Sequence, residues 1–131
     1  MKTLIVEDDF TSRLLLQTLL SPYGECHVAV NGKEAVDAFS SASKGGGKYD
    51  LICMDIMMPE MDGQAALREI RAMEETAGVL PPTGVKIIMV TAVSDTKSVF
   101  ASYKELCDGY LFKPIETEKL VGYLKAFGLV Q

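Results

Sequence analysis

Residues 50–63 read DLICMDIMMPEMDG, and the fold turns on how this stretch is read. Leu51, Ile52, Cys53 and Met54 form an apolar run that stops at one carboxylate, Asp55. The chain then leaves through Met58-Pro59-Glu60 to Asp62-Gly63. A short apolar run bounded by turn signals reads as a buried strand. A buried parallel strand delivers its last residues to the rim of the sheet, where open α/β folds place their sites. Asp55 therefore stands where a nucleophile or a metal ligand belongs.

Outward from this strand the chain alternates. Residues 4–6 are a short apolar strand closed by Glu7-Asp8-Asp9, and 10–20 has apolar residues at 10, 14, 15 and 19, which is helical spacing. Residues 26–30 read as an edge strand. Asn31-Gly32 is a turn, and 33–39 a helix with Ala35, Val36 and Phe39 inward. The Ser/Gly-rich 40–48 reads as a flexible loop extension. Residues 64–75 form a helix with Ala66, Leu67, Ile70 and Met73 on one face, followed by a surface loop over 77–84. A fourth strand covers 85–90, and Ser94 caps a helix over 95–106 with Val99, Phe100, Tyr103 and Leu106 inward. A fifth strand covers 109–112. The last helix covers 117–127, with Leu120, Val121, Leu124 and Phe127 buried. Strands joined by helical crossovers imply an α/β fold, a doubly wound parallel sheet covered on both faces. The 131 residues fit one domain spanning 1–131.

Bulk properties exclude several function classes. A net charge of −5 and a pI near 4.8 argue against a nucleic-acid backbone as direct partner. No apolar run is long enough to cross a bilayer, and MKTLIVEDD turns acidic too early for a signal peptide. Cys26, Cys53 and Cys107 lack metal-ligand spacing and read as reduced thiols of a cytoplasmic protein. With His27 as the only histidine, a Ser-His or Cys-His nucleophile is not expected.

If the sheet is parallel, Glu7, Asp8, Asp55, Thr91 and Lys113 all stand at strand ends on one rim. Clustered carboxylates repel, and partial burial adds to the cost unless a cation joins them. Oxygen donors without His or Cys favour Mg²⁺ or Mn²⁺. Lys113 neutralises part of the remaining charge. An ionised carboxylate needs no general base to attack phosphorus, so Asp55 suits phosphoryl transfer.

Four pieces in order, LIVEDD with Arg13 after it, MDIMMPEMDG, IIMVTA and GYLFKP, resemble the receiver domain of two-component response regulators. The resemblance covers nearly the whole chain. It implies a flavodoxin-like five-stranded sheet in the order 2-1-3-4-5. It makes Asp55 the phosphoacceptor. Asp8 would be a direct Mg²⁺ ligand and Glu7 a second acidic site acting through water, with Asp55 and the backbone carbonyl of Met57 completing the set. Thr91 and Lys113 would hold phosphoryl oxygens, Thr91 and Tyr110 would act as the switch, and the Lys113-Pro114 bond would be cis.

The resemblance further implies a module fed by a sensor histidine kinase or a phosphotransfer protein, and with no charge-rich dimer pattern evident on the fourth and fifth helices a monomer is expected. Its output would go to a separate protein through a surface that begins at Asp95 and ends at Phe127, with no effector domain in the chain. Such a module is not a turnover enzyme on an external substrate. Met57 and Val93 stand where the family tunes the attacking water; both are apolar here, which predicts slow loss of the phosphoryl group. Asp9 and Asp62 read as helix-start and turn residues rather than ligands. A haloacid-dehalogenase-type phosphatase would need an aspartate where Met57 stands. A dinucleotide-binding domain would need a Gly-rich turn where Glu7-Asp8-Asp9 stands. The remaining alternative is a receiver fold that serves as an unphosphorylated interaction scaffold.

Overall fold

The computed structural model describes residues 1–58, 60–79, 83–92 and 106–131. The strands are β1 (Lys2–Val6), β2 (Glu25–Ala29), β3 (Leu51–Asp55), β4 (Lys86–Ala92) and β5 (Gly109–Lys113). The described helices are α1 (Phe10–Leu20), α2 (Gly32–Gly45), α3 (Gly63–Thr76) and α4 (Thr117–Ala126), with a 3₁₀ turn at Ser21–Tyr23. All neighbouring strands pair in parallel, in the order β2-β1-β3-β4-β5. This is the doubly wound sheet expected from the sequence. Residues 95–105 of the expected helix, with its cap Ser94 and its inward residues Val99, Phe100 and Tyr103, lie outside the described residues, while Leu106 is half-buried against the core.

Alternation along the strands divides the core between two faces. Leu4, Val6, Ile52, Met54, Ile87 and Met89 pack toward Phe39, Leu67 and Ile70 of α2 and α3. Ile5, Cys53, Ile88 and Leu111 pack toward Leu16, Leu20, Leu120 and Leu124 of α1 and α4. β3 is buried throughout, as a central parallel strand covered on both sides must be.

Three local expectations change. The flexible loop expected over 40–48 is helical as far as Gly45, and Gly46 closes α2 in the left-handed region with φ 81°. Ser, Ala and Lys tolerate helix, and Asn31 caps α2 by accepting from Glu34 N–H at 2.8 Å. In α1, Phe10, Leu14 and Leu15 are exposed at 67, 50 and 41%, while Leu16 and Leu20 are buried. With leucines at 14, 15, 16, 19 and 20, the spacing supports more than one apolar face, and packing on Ile5 selects one. On α4, Leu120 and Leu124 are buried, whereas Val121 and the following Phe127, at the C-cap, are only half-buried.

Two glycines hold the segment after Asp55 close to the sheet. A Cβ at Gly63 would stand 2.2 Å from Asp55 O, and one at Gly32 would stand 2.3 Å from Met61 O. Gly63 N–H donates to Ile56 O at 2.9 Å, and Gly32 N–H to Met61 O at 2.9 Å. Gly63→Ala is expected to destabilise the fold by about 1–3 kcal/mol, the range for overpacking. Gly122→Ala, in the interior of α4 with nothing within 4 Å of the added Cβ, is expected to stabilise it by about 0.5–1 kcal/mol. Urea unfolding of both variants beside wild type checks the pair.

Candidate functional site

Asp55 is the last residue of β3 and is 6% exposed. Its Oδ1 accepts from Met57 N–H at 3.3 Å. Its Oδ2 accepts from Lys113 Nζ at 3.3 Å. Lys113 ends β5, and β4 lies between β5 and β3. Its side chain therefore reaches past the end of β4, across roughly two strand spacings or about 10 Å.

Glu7 follows β1 and is fully buried. Its Oε1 accepts from Asp9 N–H at 3.2 Å. Its Oε2 lies 3.1 Å from Lys113 Nζ, yet among the described residues no donor meets it with hydrogen-bonding geometry. Asp8 is exposed, and Glu7, Asp8 and Asp55 each offer an oxygen within 4.8 Å of the others. Arg13, one turn into α1, donates to Glu7 O at 3.0 Å and ties that helix to the end of β1. The sequence marked Arg13 only as part of a motif; its tie to a backbone carbonyl leaves no signal in spacing.

The electrostatics follow from two buried carboxylates, Glu7 and Asp55, sharing one ammonium, with Asp8 close by. Burial first, and then the charge of Asp55, push the Glu7 carboxyl up from 4.5 to about 7. Burial opposes the charge on Lys113, but Asp55 and Glu7 together outweigh it and hold its pKa above the ordinary lysine value. Hard oxygen donors, excess negative charge and a buried oxygen lacking a well-aimed donor suit a hard divalent cation. The donor set contains no sulfur or imidazole, which zinc would favour.

Thr91 lies within β4, 1% exposed, and its hydroxyl donates to Ala92 O at 3.4 Å. It pairs in register with Phe112, and Ala92 pairs with Lys113, so Thr91 and Lys113 are close neighbours on the rim. Met57 is 66% exposed at the mouth. The Lys113-Pro114 bond is cis. Tyr110 is half-buried on β5, edge-to-face with Phe112 at 5.8 Å, and its N–H donates to Tyr123 Oη at 3.3 Å. Asp9 and Asp62 cap α1 and α3, accepting from Ser12 N–H and Ala65 N–H at 2.9 Å each. Val93 lies outside the described residues. Cys53 is buried, its thiol pushed up to about 12 by burial and then by Cys26.

Residues 3–125 match the response regulator receiver domain. The chain belongs to that family. It is 34% identical over 122 residues to the probable transcriptional regulator ycf29 of Porphyra purpurea, covering 93% of this chain and 53% of that protein. It is 32% identical over 120 residues to the regulatory protein AtoC of Escherichia coli, covering 91% of this chain and 23% of that one. This receiver thus spans about half, or less, of the length of these relatives.

Among solved structures, it resembles the receiver domain of Ssk1 from Saccharomyces cerevisiae, solved with the histidine phosphotransfer protein Ypd1. That likeness has TM-score 0.80 and 29% identity, covering 98% of this chain and 88% of that one. The receiver domain of the histidine kinase CKI1 from Arabidopsis thaliana, complexed with Mg²⁺ and BeF₃⁻, gives TM-score 0.80 and 28% identity, covering 97% and 89%. Both likenesses support phosphoacceptor signalling. No helix among the described residues is long and apolar enough to cross a membrane.

The Glu7 carboxyl predicts a pH dependence for the metal-free receiver. Its proton is held to about 7 in the fold against 4.5 ordinarily. The folded state therefore binds more protons between those values. This contribution to stability is fully present below the lower value and is lost as pH rises through the upper one. From about pH 5 to about pH 8, wild-type stability should fall relative to Glu7→Gln, by at most ~1.4 kcal/mol per pH unit. Asp55→Asn removes one cause of the shift and should raise stability at neutral pH. Urea unfolding with chelator across that range reads both, and equal pH slopes in wild type and Glu7→Gln would contradict the assignment.

Proposed function

We propose that Asp55 is the phosphoacceptor of a Mg²⁺-dependent signalling receiver that takes its phosphoryl group from a phosphohistidine donor. The donor is a sensor histidine kinase or a phosphotransfer protein. The observation that carries the reading is the placement of Asp55, 3.3 Å from Lys113 and in one oxygen cluster with Glu7 and Asp8. A catalytic unit of this kind needs an ionised nucleophile, a cation and a second positive charge, and little else.

One oxygen of Asp55 attacks phosphorus in line. The phosphorus–nitrogen bond to the donor imidazole breaks, and its electron pair returns to nitrogen. The product is a mixed anhydride on Asp55. Lys113 pairs with one phosphoryl oxygen and the Thr91 hydroxyl donates to another. Glu7, Asp8, Asp55 and the Met57 carbonyl would hold Mg²⁺, which when bound neutralises charge on the transferring phosphoryl group. Mn²⁺ fits the same hard donor set.

The added charge of about −1.5 to −2 then biases a two-state equilibrium through Thr91 and Tyr110. Output goes to a separate partner through the face that includes β5 and α4. The part of that surface contributed by residues 95–105 lies outside the described residues. The chain works as one receiver unit and acts as a monomer.

Intact mass after incubation with Mg²⁺ and acetyl phosphate tests the acceptor. One phosphoryl group should add to wild type, none to Asp55→Asn, and none when chelator precedes the donor. If only a phosphohistidine protein loads Asp55, the acceptor reading still holds; if neither donor loads it, the scaffold reading replaces it.

Met57 and Val93 generate a second test. Apolar side chains at these two places cannot orient the hydrolytic water by hydrogen bonding. Met57→Asn with Val93→Glu should therefore hasten loss of the phosphoryl group severalfold, within the roughly 10²-fold that positioned acid–base groups supply at the low end. Phosphoprotein decay after donor removal measures it, and an unchanged rate would contradict the role.

A further inference from the structure

A cleft of about 870 Å³ lies at the opposite end of the sheet from Asp55. It sits at the N-terminal ends of β3 and β4, since Asp50, Val85 and Lys86 line it. The length of β3 separates it from the phosphoacceptor, about 16 Å at strand rise. Phe39, Tyr49, Met73, Val79, Val85 and Leu129 supply apolar wall. This volume falls in the range of small-molecule sites, roughly 300–1,000 Å³, whose walls are mostly apolar with a few placed polar groups.

The charges in the lining are unequal in what they have left to offer. Asp50 and Glu74 are the acids. Asp50 Oδ2 accepts from Lys2 N–H at 2.8 Å. Glu74 accepts from Arg71 Nη1 at 2.7 Å and from Val85 N–H at 2.7 Å. Lys44, Lys48 and Lys86 are the bases. Lys86 stands 3.9 Å from Asp108, a long ion pair. Lys44 and Lys48 are exposed, and among the described residues neither is paired with a carboxylate. The C-terminal ends of α2 and α3 add partial negative charge nearby, which Lys44 in the last turn of α2 offsets. In a chain of net charge −5, this rim sets two exposed lysines without a carboxylate partner among the described residues beside apolar wall.

We infer that this cleft is a binding site for a small amphipathic anion, an aromatic or aliphatic body carrying one acidic group, separate from the phosphoacceptor. The body lies against Tyr49, Met73 and Val79, and the acidic group faces Lys44 and Lys48. Neither Asp55 nor any residue placed in the acidic pocket takes part, so the inference stands independently of the phosphoacceptor reading.

The probe is 8-anilinonaphthalene-1-sulfonate, with the neutral N-phenyl-1-naphthylamine as its uncharged counterpart. Binding to the folded protein is read by fluorescence and by amide shifts in ¹H–¹⁵N spectra. The anion should bind saturably and shift residues in 39–50, 72–79 and 83–86, leaving Asp55 and Lys113 unmoved. The neutral probe should bind more weakly. Lys44→Glu with Lys48→Glu should weaken the anion about tenfold, as reversing two exposed charges would. Ser43→Tyr, on the exposed surface of α2 facing the cleft, should block both probes. Unchanged thermal melts show that the variants are folded. Absence of saturable binding, shifts centred on the Asp55 rim, equal affinity for the two probes, or indifference to the variants would each overturn the inference.

Discussion

The Lys113 ammonium, 3.1 Å from Glu7 and 3.3 Å from Asp55, is the contact on which the acidic rim depends. Two buried carboxylates and a third nearby could not share a pocket without a cation. Burial first, and then the charge of Asp55, outweigh what one lysine supplies, so Glu7 keeps its proton to about 7. The sheet order makes the contact possible, because only a parallel sheet brings the ends of β1, β3 and β5 to one edge. On the proposed reading, the shortage of positive charge is itself useful. It leaves demand for a divalent cation, and it gives Lys113 a reason to leave the carboxylates once a phosphoryl group offers more charge.

Around that contact the backbone is held closely. Met57 N–H fixes one Asp55 oxygen, Gly63 brings the start of α3 against Asp55 O, and Asp62 caps the same helix. Gly32, at the start of α2, approaches Met61 O from the other side. Glu60, in the same segment, takes a positive φ of 66°. A non-glycine residue there costs about 1–2 kcal/mol. That cost is borne within the segment that Gly63 N–H closes on Ile56 O.

Much of this was legible because the features are local. The strands show as short apolar runs, and their polar terminators name Glu7, Asp8, Asp55 and Lys113 directly. The helical face of α1 was not legible, since three consecutive leucines satisfy several phases and only contact with Ile5 selects Leu16 and Leu20. The end of α2 was misjudged because Ser and Gly composition suggests a loop, while Asn31 at the other end sustains a longer helix. Arg71 left no trace at all. Its guanidinium donates to Leu106 O at 2.8 Å, to Val85 O at 2.8 Å and to Asp108 at 2.8 Å, and Asp108 in turn accepts from Ile87 N–H at 2.8 Å. This ties α3 to the starts of β4 and β5 through partners distant in sequence, which no periodicity can announce.

The same logic limits how a change at Asp55 can spread. Lys113 pairs in register with Ala92, and Phe112 with Thr91, so displacement of the lysine acts first on the β4–β5 edge. β5 is in turn joined to α4, because Tyr110 N–H donates to Tyr123 Oη, and a Cβ at Gly109 would collide with the Tyr123 ring at 2.5 Å. β5 and α4 are therefore poorly free to move apart. β1, β2 and the base of α3 are fixed by other contacts, among them Arg13 on Glu7 O and Arg71 on Val85 O. On the proposed reading, a charge added at Asp55 acts through Lys113 on β5, and β5 and α4 respond together. Phe112 stands exposed there at 45%. On the proposed reading, a partner that senses phosphorylation has more to gain from that face than from the edge held by β2.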